Sequence, residues 1–256
     1  MSPNPPAAQS ALPVAVIGAA GRMGATVCRA VEQAPDLALV GRYDVGDDLG
    51  DLGGARVVVE FSVPGASLDN VLRCLERGAS VVVGTTGWDE PKLAQVREAL
   101  DGADALGVLI APNFAIGAIL MMRFAVQAAR FYPSVEVIEL HHPGKVDAPS
   151  GTAARTADLI GAARAAAGLG DPPDATTEDP DGARGARRHG VPVHSVRLRG
   201  MVAHQEVLFG TEGEALTIRH DSFDRVSFMP GVLAGVRGVL GHPGLTVGLE
   251  NYLDLE

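Results

Sequence analysis

The sequence predicts an α/β protein, with a doubly wound parallel sheet in its first part and a central α+β region with a mixed sheet after it. Three observations lead there. From Val14 to Ile110, short apolar runs of strand type alternate with helical stretches, the order that builds strand–helix–strand units. The first run passes through a glycine-rich turn straight into a helix. After Asn113 the alternation stops, and a long apolar helix, a strand, an Ala-rich helix and three strands follow.

Taken in order, Val14–Ile17 is the first strand. Gly18-x-x-Gly21-x-x-Gly24 is the turn, and a helix runs on to about Gln33. Leu37–Val40 is a second strand ending near Asp44, and 46–54 is a loop rich in Asp and Gly. Val57–Ser62 is a third strand. The helix over 65–77 carries apolar residues at Leu68, Val71, Leu72 and Leu75, on one face. Ser80–Val83 is a fourth strand closing on Gly84-Thr85-Thr86-Gly87, and Pro91 at a helix N1 position opens a helix to about Leu100. Ala105–Ile110 is a fifth strand ending at Ala111-Pro112-Asn113. Beyond it, 116–131 is an apolar helix, Val135–Leu140 a strand and 152–167 a helix. The Gly-, Pro-, Asp- and Arg-rich stretch 168–190 reads as a mobile loop, its Arg184–His189 cluster as a solvated one. Val193–Arg199, Val202–Phe209 and Ala215–His220 read as an antiparallel meander, and 224–240 as the final helix. Residues 114–222 form a second domain on this reading, and 1–13, with its prolines and no Lys or Arg, a disordered tail.

Composition narrows the function. The 256 residues carry 21 basic against 31 acidic side chains, a net charge of -10. That argues against nucleic acid as a partner. It would also repel an anionic substrate at long range, so an anion site needs locally placed positive charge. No apolar run reaches the ~20 residues of a membrane span, and Cys28 and Cys74 fall on helix faces without disulfide or C-x-x-C spacing. Buried thiols in a soluble cytoplasmic protein are expected.

Two constellations carry chemistry. Gly18, Gly21 and Gly24, with Arg22 and Met23 between them, follow a strand and open a helix, where backbone N–H groups cradle a pyrophosphate. Asp44, about twenty residues further on, stands where an acid hydrogen-bonds the adenosine ribose. Arg22 and Arg42 lie close enough in sequence to meet a 2′-phosphate, so NADH and NADPH both stay open. Gly84, Thr85 and Thr86, and the turn Ala111, Pro112, Asn113 and Phe114, sit at C-terminal strand ends and would wall the nicotinamide side of this Rossmann-like domain. The second constellation is 139–154. His141, His142 and Lys145 are followed by Pro149-Ser150-Gly151-Thr152 at a helix start. Cations beside uncommitted helix N–H groups make a receptor for a carboxylate-rich small molecule, and a histidine adds proton transfer near neutral pH. Adjacent histidines on extended chain point to opposite sides, so His141, His142 and His204 are not expected to share a metal.

Together, Gly18–Gly24, Gly84-Thr-Thr-Gly87, Ala111-Pro-Asn-Phe-Ala-Ile-Gly117 and Glu139–Ala153 resemble the 4-hydroxy-tetrahydrodipicolinate reductase (dihydrodipicolinate reductase) family of lysine and diaminopimelate synthesis. The likeness continues through Val202-Ala-His-Gln-Glu206 and Gly244–Glu250. It implies a nucleotide domain of 14–113 completed by 223–256, a substrate and oligomerisation domain of 114–222, and a homotetramer. By position, His141 resembles the general acid and Lys145 the substrate-binding, proton-relaying lysine. His142, Ser150, Gly151 and Thr152 match residues that hold a substrate carboxylate. Gly18, Arg22, Met23, Asp44, Gly84, Thr86 and the 111–114 turn match the cofactor site. Some members carry Glu-Arg where Asp44-Val45 stands here; with Arg22 retained, use of both NADH and NADPH is expected.

Overall fold

Residues 11–255 are described by the computed structural model. Strand β1 (Leu12–Ile17) leads into helix α1 (Arg22–Gln33), β2 (Leu37–Tyr43), β3 (Val57–Glu60), α2 (Ser67–Glu76), β4 (Ser80–Val83), α3 (Glu90–Leu100) and β5 (Gly107–Ile110). Then come α4 (Ile116–Ala129), β6 (Ser134–His141), α5 (Gly151–Ala166), β7 (Ala186–Arg188), β8 (Val191–Arg197), β9 (Ala203–Thr211) and β10 (Glu214–Ser222). The chain finishes with α6 (Met229–Gly238) and β11 (Gly244–Val247). Contacts divide it into two units, one of residues up to Phe114 plus Phe228 onward, the other Ala115–Ser227.

In the first unit a parallel sheet runs β11-β5-β4-β3-β1-β2. Every residue of β3, β4 and β5 is buried. Strands covered on both faces by helices read as unbroken apolar runs for that reason. The core on one side gathers Val58, Val71, Cys74, Val81, Val83, Val96 and Val108. Both cysteines are free and buried, and burial pushes the Cys74 thiol up to about 12. Arg237 of α6 donates to both carboxylate oxygens of Asp36, at 2.7 and 2.8 Å, which ties the C-terminal helix to the turn before β2.

The second unit holds a mixed sheet in the order β10-β9-β6-β8-β7, with β6 and β8 parallel and the other neighbours antiparallel. Along β6 the burial alternates, and Val135, Val137 and Glu139 lie on the covered side. Arg164 of α5 is buried and donates to the carbonyls of Tyr132, Pro133 and Gly170.

Several expectations are corrected. The last three long strands are not a meander: β9 and β10 form a hairpin, but β6 separates β8 from β9. The helix α5 is the crossover that a parallel β6–β8 pair requires. The 168–190 stretch, read as a loop, contains strand β7; its Arg cluster is largely exposed, as expected, and is also ion-paired. Arg184 meets Glu136 and Asp174, Arg187 meets Asp174, and Arg188 takes both oxygens of Asp158. Pro91 occupies the second helical position, with Asp89 as the cap. The final helix is shorter than 224–240 and flanked by 3-10 turns, and β11 was not expected at all. Leu12 and Pro13, assigned to the tail, belong to β1; 1–10 lie outside the described residues.

Candidate active site

The glycine turn is built so that only glycine fits it. Gly18 has φ +79°, and a Cβ there would lie 2.3 Å from the Phe61 carbonyl oxygen. A Cβ on Gly24 would lie 2.0 Å from the Gly18 carbonyl oxygen. Gly21 caps α1 without a side-chain hydrogen bond, so the first-turn N–H groups of Arg22, Met23 and Gly24 are offered to a ligand. Asp44 follows β2 and accepts from Ala20 N, which places an acid at the rim of the turn. Arg42, the other basic candidate, is paired with Glu32.

Phe61 holds the three cofactor-side segments together. Its carbonyl meets Gly18, its ring lies where a Cβ of Gly84 would be, 2.0 Å away, and the same ring stacks tilted on Phe114 at 5.8 Å. Below it the buried Glu60 accepts from Ser62 N (3.0 Å) and Ser67 Oγ (2.6 Å), fixing the turn that presents Phe61. Beside Thr85 and Thr86 a cavity of about 180 Å³ is lined by Trp88, Leu93, Pro112 and Val247, and the buried Thr85 Oγ1 has no hydrogen-bond partner among the described residues. A glycine cradle, an uncapped helix start and an orphaned hydroxyl at the strand ends fit a dinucleotide.

In the second unit the site grows from the end of β6. His141 is its last residue. Its Nδ1 lies 2.5 Å from Glu139 Oε2. Glu139 is fully buried and doubly bound by Arg197, 2.8 Å to each oxygen. Its Oε1 also accepts from Ser150 N at 3.1 Å. Burial pushes this carboxyl up, but hydrogen bonds from Arg197, Ser195 and His141 outweigh it and hold it at about 2. Burial also sets His141 below the ordinary histidine range, a drop that Glu139 opposes and that Lys145 and Arg197 reinforce.

Ser150 caps α5, its Oγ accepting from Ala153 N at 3.2 Å. Gly151 is exposed, and a Cβ there would meet nothing within 4 Å among the described residues. Thr152 stands in the same first turn. Lys145 Nζ donates to Asp147 Oδ1 at 2.6 Å. Asp147 is held below the usual carboxylate range first by Lys145 and also by the Gly151 N–H. A carboxylate therefore already sits between the lysine and the helix mouth. His142 is exposed and makes a turn in which its carbonyl accepts from Lys145 N. The structure thus brings His141, Lys145, Ser150 and Gly151 into one network, with His142 outside it.

Family models for dihydrodipicolinate reductase match the chain over residues 12–114 (N-terminus) and 117–253 (C-terminus). The chain belongs to the dihydrodipicolinate reductase family. It is 61% identical over 243 residues to the 4-hydroxy-tetrahydrodipicolinate reductase of Cutibacterium acnes, covering 95% of this chain and 99% of that one. To the enzyme of the same name from Streptomyces griseus it is 60% identical over 248 residues, covering 96% and 99%. The dipicolinate-bound dihydrodipicolinate reductase of Paenisporosarcina sp. TG-14 superposes with a TM-score of 0.82 at 37% identity, covering 95% and 100%. As a dihydrodipicolinate reductase family member the chain is an oxidoreductase, and its Rossmann-like domain implies a nicotinamide cofactor.

Within this reductase fold, sequence reasoning passed over Glu139, Arg197, Asp147 and Phe61. The signal for Glu139 was present: a carboxylate on the apolar side of an alternating strand, two residues before a histidine. Arg197 is 58 residues away and meets it only through the β6–β8 pairing. No local pattern announces that contact.

Proposed function

We propose that this chain reduces 4-hydroxy-tetrahydrodipicolinate to tetrahydrodipicolinate with NADH or NADPH, a step of lysine and diaminopimelate synthesis. One observation carries the reading. Lys145 and the α5 start converge on a carboxylate, Asp147, and the same lysine acts on His141, whose second nitrogen makes no hydrogen bond among the described residues. A substrate carboxylate would take that place, held by Lys145 and the Ser150–Thr152 backbone, with His142 steering the second acid group. The names of the relatives and the dipicolinate in the Paenisporosarcina structure support a small cyclic dicarboxylate.

When bound, the reduced nicotinamide supplies hydride to the unsaturated ring. His141 supplies the matching proton from Nε2 as water is lost, leaving a neutral imidazole that reprotonates from solvent. A dianion beside it raises the histidine's affinity for that proton, offsetting the burial that lowers it. Lys145 fixes the ring and shares in returning the proton. On the cofactor side Gly18, Gly21, Arg22, Met23 and Gly24 take the pyrophosphate, and Asp44 the ribose. Gly84, Thr85, Thr86 and Ala111–Phe114 take the nicotinamide. With Arg42 engaged by Glu32, Arg22 is the cation left for a 2′-phosphate, so both cofactors are used. The enzyme works as a cytoplasmic homotetramer. No described helix is long and apolar enough to cross a membrane.

The test is substrate-dependent oxidation of NADH and of NADPH, with the unstable substrate generated enzymatically in the cuvette. Turnover with both cofactors is expected. Cofactor binding without turnover would sink the reading.

A further inference from the structure

The mechanism uses one nitrogen of His141, and the structure shows what holds the other. Glu139 Oε2 lies 2.5 Å from Nδ1, and a buried carboxylate oxygen can only accept, so Nδ1 carries the hydrogen. Glu139 cannot rotate away. Arg197 grips both of its oxygens from the adjacent strand, in register with His141, and the Ser150 N–H holds Oε1. Arg197 also donates to the Asp147 carbonyl at 2.7 Å, so the same cation steadies the loop that carries Lys145.

Building on the general-acid reading, we propose that Glu139 is a positioning residue: through His141 Nδ1 it fixes the imidazole tautomer and presents Nε2 as the proton donor, with Arg197 locking Glu139 in place. Three alternatives for a buried carboxylate at this point are weaker. A structural ion pair with Arg197 alone would not need the His141 contact. A second acid is disfavoured by a carboxyl held ionised by three donors. A metal ligand is not favoured, because the oxygens are already engaged by Arg197, Ser150 and His141.

The charged groups facing the imidazole are Glu139 on β6, Arg197 on β8 and Lys145 in the following loop. The β9 residue in register with His141 is the uncharged Ala203, and α5 begins with the uncharged Gly151, Thr152, Ala153 and Ala154, followed by Arg155. Glu139 alone favours the protonated ring. Replacing it with Gln removes that support and leaves Arg197 uncompensated, and both changes lower the histidine's titration midpoint.

Two measurements test the proposal. In ¹⁵N NMR of the wild-type protein, with the signal identified by its loss in His141→Asn, neutral His141 is expected as the Nδ1–H tautomer. An Nε2–H tautomer would overturn the proposal, and this readout needs no variant of Glu139 to fold. In kinetics, Glu139→Gln should lower kcat/KM about 10- to 100-fold, a part of the roughly 10²–10⁴-fold that a positioned acid supplies in full. The midpoint of the pH profile should move to lower pH. In a His141→Asn background the same substitution should cost less than about twofold. An equal loss in both backgrounds would mean a merely structural residue. If His141→Asn itself turned over like wild type, the general-acid reading would fall, while the NMR result would still decide what Glu139 does to the ring.

Discussion

Arg197→Met puts the buried pair at the centre of the second unit to a quantitative test. The substitution keeps an unbranched apolar side chain of similar reach and removes the guanidinium, leaving Glu139 fully buried with only Ser150, Ser195 and His141 as partners. The size of the effect follows from proton linkage. A carboxyl held at about 2 in the folded protein, against an ordinary 4.5, stabilises the fold by about 3 kcal/mol near neutral pH. Arg197 is the largest contributor lowering it. Breaking a buried pair by deleting one partner costs about 3–5 kcal/mol, so the two routes agree. Because the folded pKa is depressed, the wild-type contribution is complete above pH ~4.5 and is lost as pH falls towards ~2. The variant's deficit should therefore be full at neutral pH and shrink on acidification. Thermal melts by circular dichroism at fixed protein concentration should show Tm lower by roughly 6–20 °C at pH 7. A deficit below about 1 kcal/mol, or one independent of pH, would refute the reasoning.

Three further outcomes follow from the geometry. Gly24→Ala places a Cβ 2.0 Å from the Gly18 carbonyl oxygen; titration calorimetry should show cofactor affinity reduced at least about tenfold, and unchanged affinity would remove the glycine turn from the site. Asp147→Asn removes the internal carboxylate that now engages Lys145; since part-exposed pairs are worth about 0.2–1 kcal/mol, KM for the substrate should fall by up to about fivefold, whereas a rise would show that Asp147 orients the lysine. Ser150→Ala deletes the α5 cap and should cost about 0.5–2 kcal/mol in denaturant unfolding; no loss would mean the helix start is held by Glu139 alone.

The parallel sheet was legible because β3, β4 and β5 are buried along their whole length and leave short runs of Val, Leu and Ile in the sequence. Strand β11 left no such trace. It lies at the sheet edge, its residues half-buried or exposed, and only its pairing with β5 makes it a strand. The meander expectation fails because, although neighbouring strands in sequence usually pair, β6, α5 and β8 form a parallel crossover that leaves β6 between β8 and β9. At the site, the glycines, His141, Lys145 and the Ser150 cap were readable as residue types at a helix start. Glu139 and Arg197 were not, since their meaning lies in the β6–β8 register, which brings together residues 58 positions apart.

The most direct test is a calorimetric titration of dipicolinate, a stable planar dicarboxylate, into the cofactor-loaded wild-type protein and into Lys145→Ala. Binding to the wild type, weakened at least about tenfold in the variant, is the result expected if the ammonium and the α5 mouth grip a doubly charged ring. Equal affinity in the two proteins, or no binding to either, would contradict it.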